Sequence, residues 1–253
     1  MSAPSFFRPG TEPPEPPPPC IVHHAEGVVG LLALQAGERV LDIGCGDGGL
    51  SAQLASQGAE VVGFDVSPQR VQVARSRGLE VKRGNAEELY FHQEFDAVFS
   101  HDALHEMRHA DLVACGAFMA LKPGGRFVGE FAGSGHAALI HRALQGALER
   151  RSIDPRGMDH AYLPSAHEYQ LVLEQAGFHV NYISWFEQPR VLDRPLGEWL
   201  EQCYGEYLRA VPPALRPAFL EEVSEELVGD LLDSCGRWTV DATRLRFRAQ
   251  RKA

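Results

Sequence analysis

One decapeptide limits what this chain can fold into more than any other feature: Val40-Leu41-Asp42-Ile43-Gly44-Cys45-Gly46-Asp47-Gly48-Gly49. Residues with strand character run straight into a glycine-rich turn, and a helical pattern starts near Leu50. Glycines at the turn let the backbone approach a ligand, and the helix start supplies N–H groups. Strand, turn and helix in that order open a βαβ unit, which commits the following chain to a parallel sheet covered by right-handed crossovers.

The chain downstream keeps that rhythm. Val61–Asp65, Glu80–Arg83, Phe95–Ser100 and Arg126–Phe131 read as strands, following Val40–Ile43. Between them Leu50–Gln57, Pro68–Arg77 and Asp111–Leu121 have helical spacing. Ser67 before Pro68 is an N-cap with proline at the first helical position. Lys122-Pro123-Gly124-Gly125 reads as a helix stop and turn. The second half changes character, with helices over Ala137–Arg151 and Ala166–Ala176 and a strand over His179–Phe186. A mostly helical stretch, 196–234, precedes a last alternating strand, Arg244–Arg248. The expectation is one α/β domain over 20–253 with a lid-like helical insertion at 196–234. Residues 1–19 stand apart as a flexible tail, since Pro9–Pro19 holds seven prolines in eleven positions and cannot bury a core.

Composition narrows the partners. With 24 Lys and Arg against 34 Asp and Glu, the net charge of −10 repels a phosphate backbone. The only dense basic stretch, Arg244, Arg246, Arg248, Arg251 and Lys252, alternates as the outer face of a strand would, so nucleic acid is not an expected partner. No run approaches the ~20 apolar residues that span a membrane, and no secretory signal is read at the N-terminus. Five well-separated cysteines form neither a CxxC nor a disulfide framework, which fits a reducing cytoplasm. Nothing in the sequence sets the oligomeric state.

Gly44, Gly46 and Gly49 satisfy GxGxxG, so a nicotinamide or flavin dinucleotide, and with it an oxidoreductase, enters as one reading. Three neighbours point elsewhere. Asp42, two residues before the first glycine, would repel a pyrophosphate and suits a cationic ligand. Asp65 ends the next strand at the spacing where a carboxylate grips ribose hydroxyls. Asn85, in Gly84-Asn85-Ala86-Glu87-Glu88 after the third strand, places an amide where an adenine edge can be read. Acid at the turn, acid for the ribose and amide for the base together describe S-adenosylmethionine.

On these residues the chain resembles the class I S-adenosylmethionine-dependent methyltransferases: VLDIGCGDGG, GAEVVGFDVSPQRVQVAR, GNAEEL, FDAVFSHDALHEM and LKPGGRF all match that pattern. Leu163-Pro164-Ser165-Ala166-His167-Glu168-Tyr169, Gln175-Ala176-Gly177-Phe178, Trp199-Leu200 and Gly236-Arg237-Trp238 extend the resemblance toward the trans-aconitate methyltransferase-like branch. The resemblance implies a Rossmann-like seven-stranded sheet in the order 3-2-1-4-5-7-6 with the last strand antiparallel. It implies methyl transfer by direct displacement to a small-molecule acceptor, with S-adenosylhomocysteine as product. By position, Asp42, Gly44 and Gly46 line the methionine portion, Asp65 holds the ribose and Val66 packs on adenine. Asn85 and Ala86 meet the adenine edge, and Ser100 and His101 the methionine end. Asn85 stands where an acid is common. A protein that binds the cofactor without turning it over is a further alternative.

His105-Glu106-Met107-Arg108-His109 is a literal HExxH, which on a helix grips zinc, with Glu130 downstream as an imaginable third ligand. The segment follows a buried strand, however, and Lys122-Pro123-Gly124-Gly125 separates Glu130 from it, so no metal is assigned. In the methyltransferase reading Ala103-Leu104-His105 matches the family's Ala-Leu-His, and His105 faces the acceptor as the catalytic residue, orienting or deprotonating it with a lowered pKa. His24, beside His23 on the segment entering the first helix, and Trp199 in the insertion are the candidate acceptor contacts.

Overall fold

The computed structural model describes residues 25–158 and 161–253, so the proline-rich tail lies outside it. After α1 (Glu26–Leu32), strands β1 (Arg39–Ile43), β2 (Glu60–Asp65), β3 (Glu80–Arg83) and β4 (Phe95–His101) alternate with α2 (Gly49–Ser56), α3 (Pro68–Ser76) and α4 (Ala110–Ala120). β5 (Leu121–Ala132), α5 (Ala138–Glu149), α6 (Ala166–Gln175) and β6 (His179–Glu187) follow. A short ribbon, β7 (Arg190–Val191) with β8 (Thr239–Val240), brackets helices α7 (Leu196–Cys203), α8 (Gly205–Arg209) and α9 (Arg216–Leu231), and β9 (Thr243–Gln250) closes the fold.

The seven-stranded sheet runs β3-β2-β1-β4-β5-β9-β6, with β9 antiparallel to both neighbours. Counting sheet strands alone, this is the expected order 3-2-1-4-5-7-6. Local chemistry explains the helix starts: Ser67 Oγ accepts from Arg70 N at 3.3 Å, and Ser165 with Glu168 forms a reciprocal capping box on α6. Buried Leu41, Phe64, Phe95, Val98, Phe127 and Phe247 pack α4 and α6 onto one face of the sheet. Val28, Leu32, Val40, Leu54, Phe99 and Val128 seat α1 and α2 on the other. A separate apolar cluster joins α5 to α7, α8 and α9 through Leu144, Leu148, Leu200, Phe219, Val223 and Leu227.

Two expectations change. The Lys122-Pro123-Gly124-Gly125 turn does end α4, but the strand already pairs at Leu121, and the turn survives as a bulge inside β5 where Gly124 has φ +80°. The alternating arginines of β9 do not form an open outer face. Arg244 and Arg246 are part-buried against the carboxylates of Asp102, just past β4, and Glu130 of β5, and Arg248 donates to Leu31 O of α1.

Candidate active site

The turn after β1 spends its own amides. Gly44 and Cys45 donate to Phe64 O, Gly46 to Asp65 Oδ2, Gly48 to Cys45 O and Gly49 to Asp47 Oδ1. With five of the six amides from Gly44 to Gly49 committed, the turn has little left to bind a pyrophosphate, and two of those amides are held by the carboxylates of Asp65 and Asp47. Gly44 is required here: at φ +72° a Cβ would lie 2.2 Å from Ala103 Cβ. Gly46, at φ +57°, faces open space, with only Arg70 Nη1 at 4.0 Å. Asp42 is buried and accepts from Ser51 Oγ at 2.5 Å. Burial pushes its carboxyl up to about 6, with Ser51 pulling the other way and Asp65 adding to the rise.

Asp65, at the end of β2, accepts from Gly46 N at 2.9 Å and from Ser67 N at 2.8 Å, so it braces two turns at once. Beside it Val66 is 63% exposed, an apolar side chain open to solvent. Asn85 caps the 3₁₀ turn Ala86–Glu88 through Oδ1 from Glu87 N at 3.1 Å, which leaves its amino group to donate, and Ala86 is buried behind it. Asp42, Gly44, Gly46, Asp65, Val66 and Asn85 thus gather at the carboxyl ends of β1, β2 and β3, where open α/β sheets bind ligands. Ser100 does not join them with its side chain: it is wholly buried and donates to Ile43 O at 2.8 Å, tying β4 to β1.

A charged network sits at the ends of β4 and β5. His101, Glu130 and Arg246 are lateral neighbours across β4, β5 and β9. Arg246 Nε lies 2.5 Å from Glu130 Oε2, Arg244 Nε 3.9 Å from Glu130 Oε1, and Arg244 Nη1 2.5 Å from Asp102 Oδ1. Glu130 is wholly buried, and its Oε1 and both ring nitrogens of His101 lack a hydrogen-bond partner, the two side chains standing 4.0 Å apart. Asp102 turns the chain out of β4 in a left-handed conformation, φ +56°, held by its N–H to Glu130 O at 2.8 Å. Burial alone would raise the Asp102 carboxyl. Arg244, His105 and His101 outweigh it and hold it well below the usual range.

His105 rides the 3₁₀ turn Leu104–Glu106 that Asp102 launches. Its Nδ1 is buried and without a hydrogen-bond partner, and Tyr162 N caps its carbonyl at 2.8 Å. Its pKa is lowered as expected, but the cause lies in the protein: burial first, with Asp102 opposing and His136 and Arg244 reinforcing. Burial also lowers His101 and His136. The HExxH does not form a metal face. His105 lies in the 3₁₀ turn, Met107 is extended and His109 caps α4, so the two histidines do not share a helix.

From His136 the row continues to His141 on α5, whose Nε2 lies 3.3 Å from Tyr204 OH. Trp199 is half-buried and packs edge-on to Tyr204 at 5.6 Å, inside the apolar cluster of the insertion. His24 lies outside the described residues. Sequence reasoning passed over Asp102, His136, His141, Arg244 and Ser51 as site residues. The signal for two of them was available: an acid directly after a buried strand end, and arginines spaced to one face of a strand paired with it.

A methyltransferase-domain family profile matches residues 34–152. An uncharacterised methyltransferase of Schizosaccharomyces pombe is 31% identical over 237 residues, 89% of this chain and 91% of that one. The chain belongs to the methyltransferase family. A ubiquinone biosynthesis O-methyltransferase of Xylella fastidiosa is 33% identical over 175 residues, 63% of this methyltransferase and 70% of the relative. Among solved structures, phosphoethanolamine N-methyltransferase 2 of Haemonchus contortus in complex with S-adenosyl-L-methionine superposes with a TM-score of 0.59 at 21% identity, covering 91% of this chain and 52% of that one. The methyltransferase is an S-adenosylmethionine-dependent enzyme, and no helix among its described residues is long and apolar enough to cross a membrane.

Proposed function

We propose that the enzyme methylates a small-molecule acceptor bound between the strand ends and helices α7–α9, which act as a lid over 196–234. The carrying observation is the split of the site into two halves. The turn, Asp65, Val66 and Asn85 form a surface fitted to a cationic nucleoside, and His101, His105 and His136 form an uncharged polar wall beside it. Bound S-adenosylmethionine supplies a methyl group on an already activated sulfonium, so the protein's work is alignment and exclusion of water.

Each side chain then has a task. Asp65 holds the ribose hydroxyls with the lone pairs left beside its two amide bonds, Val66 covers adenine, and Asn85 with Ala86 meets the base edge. Asp42 and the Gly44–Gly46 turn receive the methionine portion, and the ends of β4 at Ser100 and His101 border it through the backbone. His105 faces the acceptor and takes or orients its proton, and Trp199 shapes the lid. We assign the enzyme to the trans-aconitate methyltransferase-like branch, with the helical insertion before the last strand as support. A reducing cytoplasm fits the four described cysteines, all free.

The test is calorimetry with S-adenosylhomocysteine and NAD, followed by turnover with methyl-labelled cofactor. Micromolar-class binding of the former alone is expected, and His105→Ala should lower turnover about 10²–10⁴-fold with cofactor affinity kept. Binding of NAD in preference, or full turnover in His105→Ala, would overturn the respective assignment.

A further inference from the structure

The cations of the acceptor side are already matched. Arg244 faces Asp102 at 2.5 Å and Glu130 at 3.9 Å, and Arg246 faces Glu130 at 2.5 Å. Drawing Arg246 toward a bound anion would leave the wholly buried Glu130 with Arg244, at 3.9 Å, as its remaining cation. An anionic acceptor therefore meets no cation in this network that it can take without weakening a buried ion pair. The other charges near the turn are the acids Asp42, Asp65 and Glu106 and one cation, Arg70, which lies on the cofactor side beside Gly46 and acts on Glu106, and the chain as a whole carries −10.

What the site has to offer is uncharged. His101 presents two buried ring nitrogens and His105 one without a hydrogen-bond partner. A neutral imidazole carries one donor and one acceptor, the complement of a hydroxyl. Along the row from His136, the insertion adds rings in place of charges: Tyr204 bonds His141 at 3.3 Å and packs edge-on to Trp199 at 5.6 Å and to Tyr207 at 5.9 Å. Ring edges and faces in such a cluster favour a planar aromatic guest.

We infer that the methyl acceptor is a phenol, an uncharged aromatic ring carrying a hydroxyl, seated between the His101, His105 and His136 wall and the Tyr204–Tyr207 side of the insertion. The inference rests on the methyl-transfer reading above and names its substrate class. The phenolic oxygen's lone pair forms the new bond to the methyl carbon while the carbon–sulfur bond breaks with its electron pair going to sulfur. The phenolic proton passes to the His105 imidazole and then to solvent. A phenol, whose hydroxyl has a pKa near 10, is within reach of an imidazole as the new bond forms, whereas an aliphatic alcohol holds its proton too tightly.

The experiment incubates the full chain with methyl-labelled S-adenosylmethionine and, in separate arms, several single-ring phenols, benzoate, trans-aconitate, an aliphatic alcohol and a primary amine. Label should enter the phenols at least tenfold faster than any other arm. Tyr204→Phe, which keeps the ring and loses the bond to His141, should raise the phenol KM severalfold with S-adenosylhomocysteine affinity unchanged. Faster labelling of a carboxylate, alcohol or amine overturns the inference. So does a chain that binds S-adenosylhomocysteine and labels no phenol, and an unchanged KM in Tyr204→Phe removes that wall from it. A chain that does not bind S-adenosylhomocysteine refutes the cofactor reading beneath it.

Discussion

Replacing Asp65 by alanine separates two jobs that this carboxylate holds together. In the free protein Oδ2 accepts from Gly46 N at 2.9 Å and Oδ1 from Ser67 N at 2.8 Å, and the side chain is only 7% exposed. Removing both acceptors leaves two part-buried amides to find water, a loss of about 2–3 kcal/mol in unfolding free energy. Urea denaturation reads that loss directly. The ribose contacts are a separate quantity: their loss should weaken S-adenosylhomocysteine by at least tenfold, about 1.4 kcal/mol or more, in calorimetry on the still-folded fraction. Asp65→Asn sharpens the test. Its single amide oxygen can satisfy one of the two N–H groups, while its NH₂ opposes the other, so stability should fall between wild type and alanine. Unchanged cofactor affinity in a folded Asp65→Ala protein refutes the ribose assignment. Unchanged stability refutes the argument that Asp65 braces the turn.

Asp42 gives a pH prediction with a definite sign. Its folded pKa of about 6 lies above the ordinary 3.8, so the folded state binds the extra proton and stability falls as pH rises between those values, by about 3 kcal/mol in all. Asp42→Asn should flatten that limb of the stability profile in urea titrations from pH 4 to 7, and an unaltered slope would show that Asp42 titrates normally. Gly44→Ala should cost about 2–4 kcal/mol, because a left-handed φ of +72° is joined by a Cβ only 2.2 Å from Ala103 Cβ. Gly46→Ala, left-handed but with its nearest neighbour at 4.0 Å, should cost only about 1 kcal/mol in the same denaturation assay. Equal losses at the two positions would refute the steric argument.

Much of the fold was legible because its signals are local. Ser67-Pro68 starts α3, the glycines after Ile43 turn β1 into α2, and the four- to seven-residue strands β1 to β4 alternate with helices at short spacing. The candidate site residues at the ends of β1, β2 and β3 inherit that legibility, since strand ends in a parallel sheet must come together. Three stretches show what a local signal leaves out. The Lys122–Gly125 turn looks like a loop in sequence, yet a bulge lets β5 begin before it. Ser100 lies near the end of β4, and its hydroxyl satisfies Ile43 O inside the sheet. HExxH has the spacing of a helical pair and none of the helix.

The charged network at the ends of β4 and β5 was illegible because its pairs are distant in the chain: Asp102 and Arg244 are 142 residues apart, Glu130 and Arg246 are 116. Alternating arginines read the same whether the face they occupy meets water or buried acids. Only the neighbouring strands distinguish the two. Here the register does so without ambiguity, since it sets Arg246 opposite Glu130 and Arg244 opposite Ala132. A slip of β9 by one residue would turn Leu245 and Phe247 out of the core and leave Glu130 facing an apolar neighbour with its charge uncompensated. The same ion pairs therefore also fix the last strand in place. A substitution that draws Arg246 away from Glu130 leaves Arg244, at 3.9 Å, as the carboxylate's remaining cation and loosens the register of β9 with it, so the charge of this network cannot be changed without also reworking the sheet.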